Sequence, residues 1–168
     1  MSKYTSWVHG NALTAESLEN IIDITHSGWG TDVTMKPGKA SWFHVPLPTP
    51  AIVDGIGAKV TRVFLLFETT SVTIRSVHIY DGHRVLEELN SLTPAQGDFR
   101  TKLVSANTYA LKAPHAVRSG IGISFFVLAP VALGSEAPPT QFSIAAAGAE
   151  YSVERFNIFV AIGKLLGR

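Results

Sequence analysis

Between Lys59 and Tyr80 apolar residues recur with a period of two on both sides of a short polar break, which is the spacing of strands and not of a helix. Val60, Phe64 and Leu66 alternate with Val63, Leu65 and Phe67, so the first half predicts a strand that is apolar on both faces. Glu68-Thr69-Thr70-Ser71 then reads as the turn of a central hairpin. Along the return strand Val72, Ile74, Ser76, His78 and Tyr80 share one face, and Thr73, Arg75, Val77 and Ile79 the other. Asp81-Gly82-His83 predicts a tight turn into a strand over 84–89.

The same alternation predicts strands over 109–113, 120–131 and 141–153, with a short strand over 32–35 inside a segment dense in glycine and turn formers. Prolines at 46, 48 and 50 forbid a helix across Ser41–Pro50 and predict a strand that leaves its sheet along an edge. Residues 13–24 fit either a short amphipathic helix capped by Thr14 or a strand. Ile144-Ala145-Ala146-Ala147-Gly148-Ala149 offers small residues for close approach of a second layer, although an alanine run also suits a helix. Many short strands with Gly/Pro punctuation give a mainly β fold, an antiparallel two-sheet sandwich of the jelly-roll kind, with at most one or two short helices.

The chain has 168 residues, which fits one domain, expected over 1–153, followed by a segment over 154–168. Hydrophobic residues make up 46% and charged ones only 16%, against about 25% charged in ordinary soluble domains. Few charges are available to cover the surface, so apolar contact with other chains is expected, most simply a homo-oligomer. The segment 154–168 sharpens that expectation, because Phe156, Phe159, Ile162 and Leu165 make it too apolar to stay in water and it is too short to span a bilayer. These four side chains are expected at an interface, either with the domain itself or with a neighbouring subunit.

Lys plus Arg total 14 and Asp plus Glu 13, with no basic run, so nucleic acid is not an expected partner. The absence of cysteine excludes disulfides, thiolate metal sites and cysteine nucleophiles. No apolar stretch follows Lys3, so no signal peptide is visible and a cytoplasmic location is the default, with export by another route left open.

Catalytic motifs are missing from the sequence: there is no nucleophile elbow, phosphate loop or dinucleotide fingerprint, and no cofactor is predicted. The carboxylates Asp54, Glu68, Asp81, Glu87, Glu88 and Glu150 cannot be paired by spacing alone, and Glu87 and Glu88 are expected in solvent. The 6 histidines have no metal-ligand spacing, although strands could bring His44 and His78 together with His9 or Asp81.

Aromatic binding is the more concrete chemistry. Trp7, Trp29 and Trp42 could stack on sugar rings or small apolar ligands; at least two of them are expected as anchors of the core or an interface, Trp42 among them because Phe43 takes the opposite face, and Trp29, set among glycines, is the better ligand candidate. The candidate ligand-binding set is therefore Trp29, Trp7, His9, His44 and His78. Three functions remain: a self-associating, non-enzymatic sandwich with a structural or interaction role; a module for carbohydrate or a small apolar ligand; and a metal-dependent enzyme with a His/carboxylate site.

Overall fold

In the computed structural model, described for residues 2–53, 55–131 and 140–153, strands dominate the chain. In order they are β1 (Ser2–His9), β2 (Thr14–Ala15), β3 (Ile21–Ser27), β4 (Gly30–Met35), β5 (Ala40–Pro46), β6 (Ile52–Val53), β7 (Ile56–Gly57), β8 (Lys59–Thr69), β9 (Thr73–Asp81), β10 (Arg84–Leu89), β11 (Gly97–Asp98), β12 (Thr108–Ala116), β13 (Ile121–Leu128) and β14 (Gln141–Val153). Short 3-10 turns cover Gly10–Ala12, Leu18–Asn20 and Ser105–Asn107. Residues 13–24 thus contain β2, a 3-10 turn and the start of β3, and the alanine run lies within β14, so neither helical alternative is realised.

Two antiparallel sheets make the sandwich. One has seven strands, ordered β11-β8-β14-β4-β3, with β1 also on β14 and β12 also on β8; the other has five, ordered β10-β9-β13-β5-β2, and β6 and β7 form a small ribbon. Phe43, Val77, Ile79 and Phe125 of the five-stranded sheet are buried against Val33, Leu65, Phe67 and Phe142 of the seven-stranded one. The Phe43 and Phe142 rings meet edge to face across the core at 4.9 Å and 80°, a favoured aromatic geometry.

The expected central hairpin is not a hairpin. β8 and β9 belong to different sheets, so the chain between them crosses the core instead of turning back within one layer. The physical reason lies in β8, which is paired on both sides, with β14 on one and β11 and β12 on the other, leaving no free edge for β9. The alternation read along β9 also changes phase: β13 pairs Phe126 with Ser76 but Val127 with Ile74, so Arg75 bulges and Ile74 joins Val77 and Ile79 in the core.

A junction in the seven-stranded sheet holds β1 and β4 end to end along one side of β14. Gln141 to Ile144 pair with β4, and Ala146 to Val153 pair with β1. Gly10, just after β1, and Gly30, where β4 begins, both press their backbones against the Ile144 carbonyl. Buried Thr31 ties the junction together, with its hydroxyl within hydrogen-bond reach of the Gly10 carbonyl at 3.1 Å, Asn11 Oδ1 at 3.1 Å and His26 Nδ1 at 2.8 Å.

At one edge of the sandwich the two sheets are joined by a carboxylate that was expected in solvent. The Glu87 side chain, on the inner side of β10, is only 5% exposed, and it accepts from the Lys112 ammonium at 2.9 Å and the Lys112 backbone N–H at 3.1 Å. A β-bulge between Val85 and Glu87 turns this side chain inward. Hydrogen bonds from the Lys112 side chain and backbone outweigh burial and hold the Glu87 pKa below its ordinary 4.5. The unfolded chain therefore binds a proton at this site at a higher pH than the folded one. The contribution to stability is complete above 4.5 and declines as pH falls through the folded value. Glu87→Ala is expected to cost about 1.5–3 kcal/mol at neutral pH, and the difference from the parent in urea unfolding should shrink in acid; a penalty that grows below pH ~4 would contradict this pairing.

The four interface candidates, Phe156, Phe159, Ile162 and Leu165, and the carboxylate Asp54 lie outside the described residues.

Candidate functional site

The outer face of the seven-stranded sheet carries an open cleft of about 760 Å3. Its floor follows from register. Trp7 on β1 stands opposite Gly148 on β14, which stands opposite Phe64 on β8, which stands opposite Thr108 on β12. Alternation along β1 turns Thr5, Trp7 and His9 outward and leaves Tyr4 and Val8 packed on the core. The missing side chain at Gly148 lets the indole lie on bare backbone: a Cβ there would come within 2.6 Å of the Trp7 ring. Trp7 and Phe64 are stacked, with centroids 5.4 Å apart and planes only 21° from parallel. Phe64 is covered, whereas Trp7 remains 40% exposed and offers its indole to solvent.

The next row of the sheet is polar, with Thr5, Glu150 and Arg62 in register. A bulge between Glu150 and Tyr151 brings the Thr61 hydroxyl to the same carboxylate. Glu150 Oε1 accepts from Lys3 Nζ at 3.1 Å, Thr61 Oγ1 at 2.9 Å and Arg62 Nε at 3.1 Å; among the described residues every donor to this carboxylate falls on Oε1. Partial burial pushes its pKa up, but the hydrogen bonds from Thr61 and Lys3 and the positive charge of Arg62 and Lys3 more than offset that, so Glu150 stays ionised below its usual range. The cleft therefore presents a fixed anionic acceptor beside a guanidinium whose orientation is set.

Leu103, Val104 and Ser105 form the wall. Buried Asn107 holds that wall in place: its Oδ1 accepts from the Val104 N–H at 2.8 Å, and its amide nitrogen donates to the Lys102 carbonyl at 2.8 Å and the Phe99 carbonyl at 3.1 Å.

The other sequence candidates fall elsewhere. His9 caps the 3-10 turn Gly10–Ala12, its Nδ1 accepting from the Asn11 N–H at 3.3 Å. Trp29 is 43% exposed in the turn between β3 and β4, with the Arg100 guanidinium 5.3 Å from its ring centre. Arg100 is itself held by Glu68 at 2.8 Å and Asp98 at 2.9 Å, and its hydrogen bonds bring the Asp98 pKa down to about 2.

His44 and His78 do share a face, the outer face of the five-stranded sheet, on either side of Ser124. His44 Nδ1 lies 2.8 Å from Ser124 Oγ, His44 Nε2 lies 3.3 Å from Glu16, and His78 Nε2 lies 2.8 Å from Asn90 Oδ1. Asp81 is turned away from them and accepts the backbone N–H groups of Arg118, Ser119 and Gly120. Among the described residues no three His, Asp or Glu side chains converge as metal ligands. Trp42, expected as an anchor of core or interface, lies half-buried on this outer face against His78 at 4.6 Å and Phe126 at 5.2 Å, while Phe43 alone enters the core.

Of the cleft, sequence reasoning reached Trp7 and counted Glu150 among six carboxylates. It missed Phe64 as a floor, together with Arg62 and Asn107. Glycine at 148 inside an alanine run was the available signal, since a bare backbone patch in a strand marks close approach by another group.

Residues 1–132 match the family described as "Family of unknown function (DUF6623)". No curated protein matches. Among solved structures the chain is similar to a family 29 carbohydrate-binding module from Piromyces equi, at 8% identity over 89% of this chain and 91% of that one, with a TM-score of 0.41. It is similar also to the exo-β-1,3-galactanase of Phanerochaete chrysosporium with galactose, at 8% identity over 87% of this chain and 29% of that one, TM-score 0.32. A third is the secreted serine protease VesC from Vibrio cholerae, at 13% identity over 82% of this chain and 25% of that one, TM-score 0.25.

Proposed function

We propose that this chain, which belongs to the family of unknown function DUF6623, binds neutral saccharides without cleaving them, through the cleft built on Trp7. The observation that carries the reading is the exposed indole laid flat on Gly148 beside Phe64, with Glu150 and Arg62 fixed in the adjoining row. A pyranose has a C–H face that suits an aromatic ring and an equator of hydroxyls that both donate and accept. Glu150 can accept from such hydroxyls while Arg62, Thr5 and Thr108 supply donors. Lys3 and Arg62 are both engaged by Glu150, whose carboxylate would repel a phosphate or sulfate placed beside it, and this favours a neutral ligand.

Catalysis is not part of this reading. Hydrolysis of a glycoside ordinarily needs two carboxyl groups, one of them protonated near neutral pH, and among the described residues Glu150 is the one carboxylate lining the cleft and is held ionised.

A sugar unit has about a dozen heavy atoms, and roughly 0.3 kcal/mol for each gives about 4 kcal/mol, a Kd on the order of 1 mM for one unit and tighter for an oligomer. Calorimetric titration with cellohexaose, laminarihexaose, xylohexaose and mannohexaose is expected to show sub-millimolar binding of at least one. Failure of all four, with intrinsic tryptophan fluorescence unchanged, would remove the proposal.

Self-association is a second proposal and rests on the sequence of 154–168, where Phe156, Phe159, Ile162 and Leu165 need cover. Light scattering on the full chain and on a truncation ending at Val153 tests it; a monomer in both would end it.

A further inference from the structure

A second cavity, of about 480 Å3, opens on the edge of the sandwich next to the Trp7 cleft. Its walls are drawn from the core side of the fold, Phe67 and Ile74 from the two facing sheets with Leu89, Leu92 and Tyr109, and among the described residues no charged side chain lines it. The two hollows share a partition, because Ser105 and Thr108 line both. The partition is a single 3-10 turn at the start of edge strand β12, anchored from behind by Asn107. One side of that turn therefore faces an aromatic floor with a carboxylate and a guanidinium, and the other faces an uncharged apolar hollow.

Two adjoining sites, one with a carboxylate and a guanidinium and one lined by uncharged, mostly apolar residues, fit one amphiphilic molecule better than two unrelated ligands. A free sugar would leave the apolar hollow in contact with water, and a purely apolar ligand would make no use of Glu150 and Arg62. We infer that the ligand is a glycoside with an apolar aglycone, an alkyl or aryl group, whose sugar rests on Trp7 and whose aglycone passes over Ser105 and Thr108 into the hollow beneath Leu92. This rests on the saccharide reading of the cleft and specifies its ligand class.

The test compares short and long glycosides of one sugar. Methyl and octyl β-glucoside, and the corresponding galactosides and mannosides, are titrated below their micellar concentrations against the full chain. The octyl member of at least one pair is expected to bind about tenfold tighter or more, the effect of burying as few as two methylenes. Ala95→Trp, which fills the hollow, should cancel the gain and leave the methyl glycoside unaffected. Leu92→Arg, which puts a charge at its wall, should do the same and serves as a second variant should Ala95→Trp fail to fold.

Equal affinity of methyl and octyl glycosides overturns the inference and leaves the saccharide reading standing. An octyl advantage that survives both Ala95→Trp and Leu92→Arg overturns it too, since the chain would then lie elsewhere. Octyl binding at undiminished affinity in Trp7→Ala shows an apolar site with no saccharide component on Trp7, which overturns the inference and the saccharide reading together.

Discussion

Replacing Trp7 by alanine is expected to weaken binding of the best oligosaccharide by at least about tenfold, and to leave a folded protein. Among the described residues the indole is the one large surface in the cleft that a sugar face can rest on, because Phe64 is covered and the remaining lining is polar or aliphatic. Its loss also bares the Gly148 backbone and the edge of Phe64, replacing a flat floor with a trough that water fills. The structural cost is modest, since Trp7 is partly exposed and sits on β1, whose pairing with β14 is carried by backbone from Ser2 to His9. A stability loss of roughly 1–2 kcal/mol follows from the buried part of the ring. Calorimetry on the variant checks the first expectation and thermal unfolding the second; unchanged affinity would show that the sugar does not use this ring.

The second large effect is structural. Gly10→Val is expected to cost about 3–5 kcal/mol, lowering Tm by roughly 6–20 °C. A Cβ at Gly10 would overlap the Ile144 carbonyl oxygen and crowd the backbone that follows it, and neither belongs to a flexible side chain that can swing away. To make room, β1 or β4 must lift from β14 at the point where the two meet end to end. The hydrogen bonds of Thr31 to Gly10 and Asn11 would open with it. A thermal scan that finds the variant as stable as its parent would mean that the junction is looser than described.

The sandwich itself was legible because period-two alternation survives in single strands: 141–153 reads from the sequence with the same ends as β14, and β13 falls within 120–131. What alternation does not carry is which strand lies beside which. Residues 59–80 read as one hairpin because a polar break between two alternating runs looks the same whether the chain returns in its own sheet or crosses to the other. The bulge at Arg75 was invisible for a related reason, since the extra residue is recognised only from the partner strand. Glu87 was misplaced because a carboxylate next to a second one, Glu88, reads as solvent-facing until its inward turn and its Lys112 partner are known.

The site was legible only in part, and for the same reason. Trp7 was a candidate by residue type, and Glu150 by charge. Their meeting depends on β1 pairing with the far end of β14, and β14 with β8, contacts between residues more than eighty positions apart in sequence. Asn107 gave no signal at all, because its importance lies in three backbone partners within its own loop.

The most direct test of the Trp7 cleft is an NMR titration of the protein labelled with nitrogen-15 in its 3 tryptophans, which gives one indole signal each for Trp7, Trp29 and Trp42. Assigned by single substitution and titrated with the tightest of the four hexasaccharides, the Trp7 signal is predicted to move in a saturable way while Trp29 and Trp42 stay in place. Saturable movement of Trp29 or Trp42 with Trp7 unmoved would contradict the account and place the binding surface on Arg100 or on the five-stranded sheet.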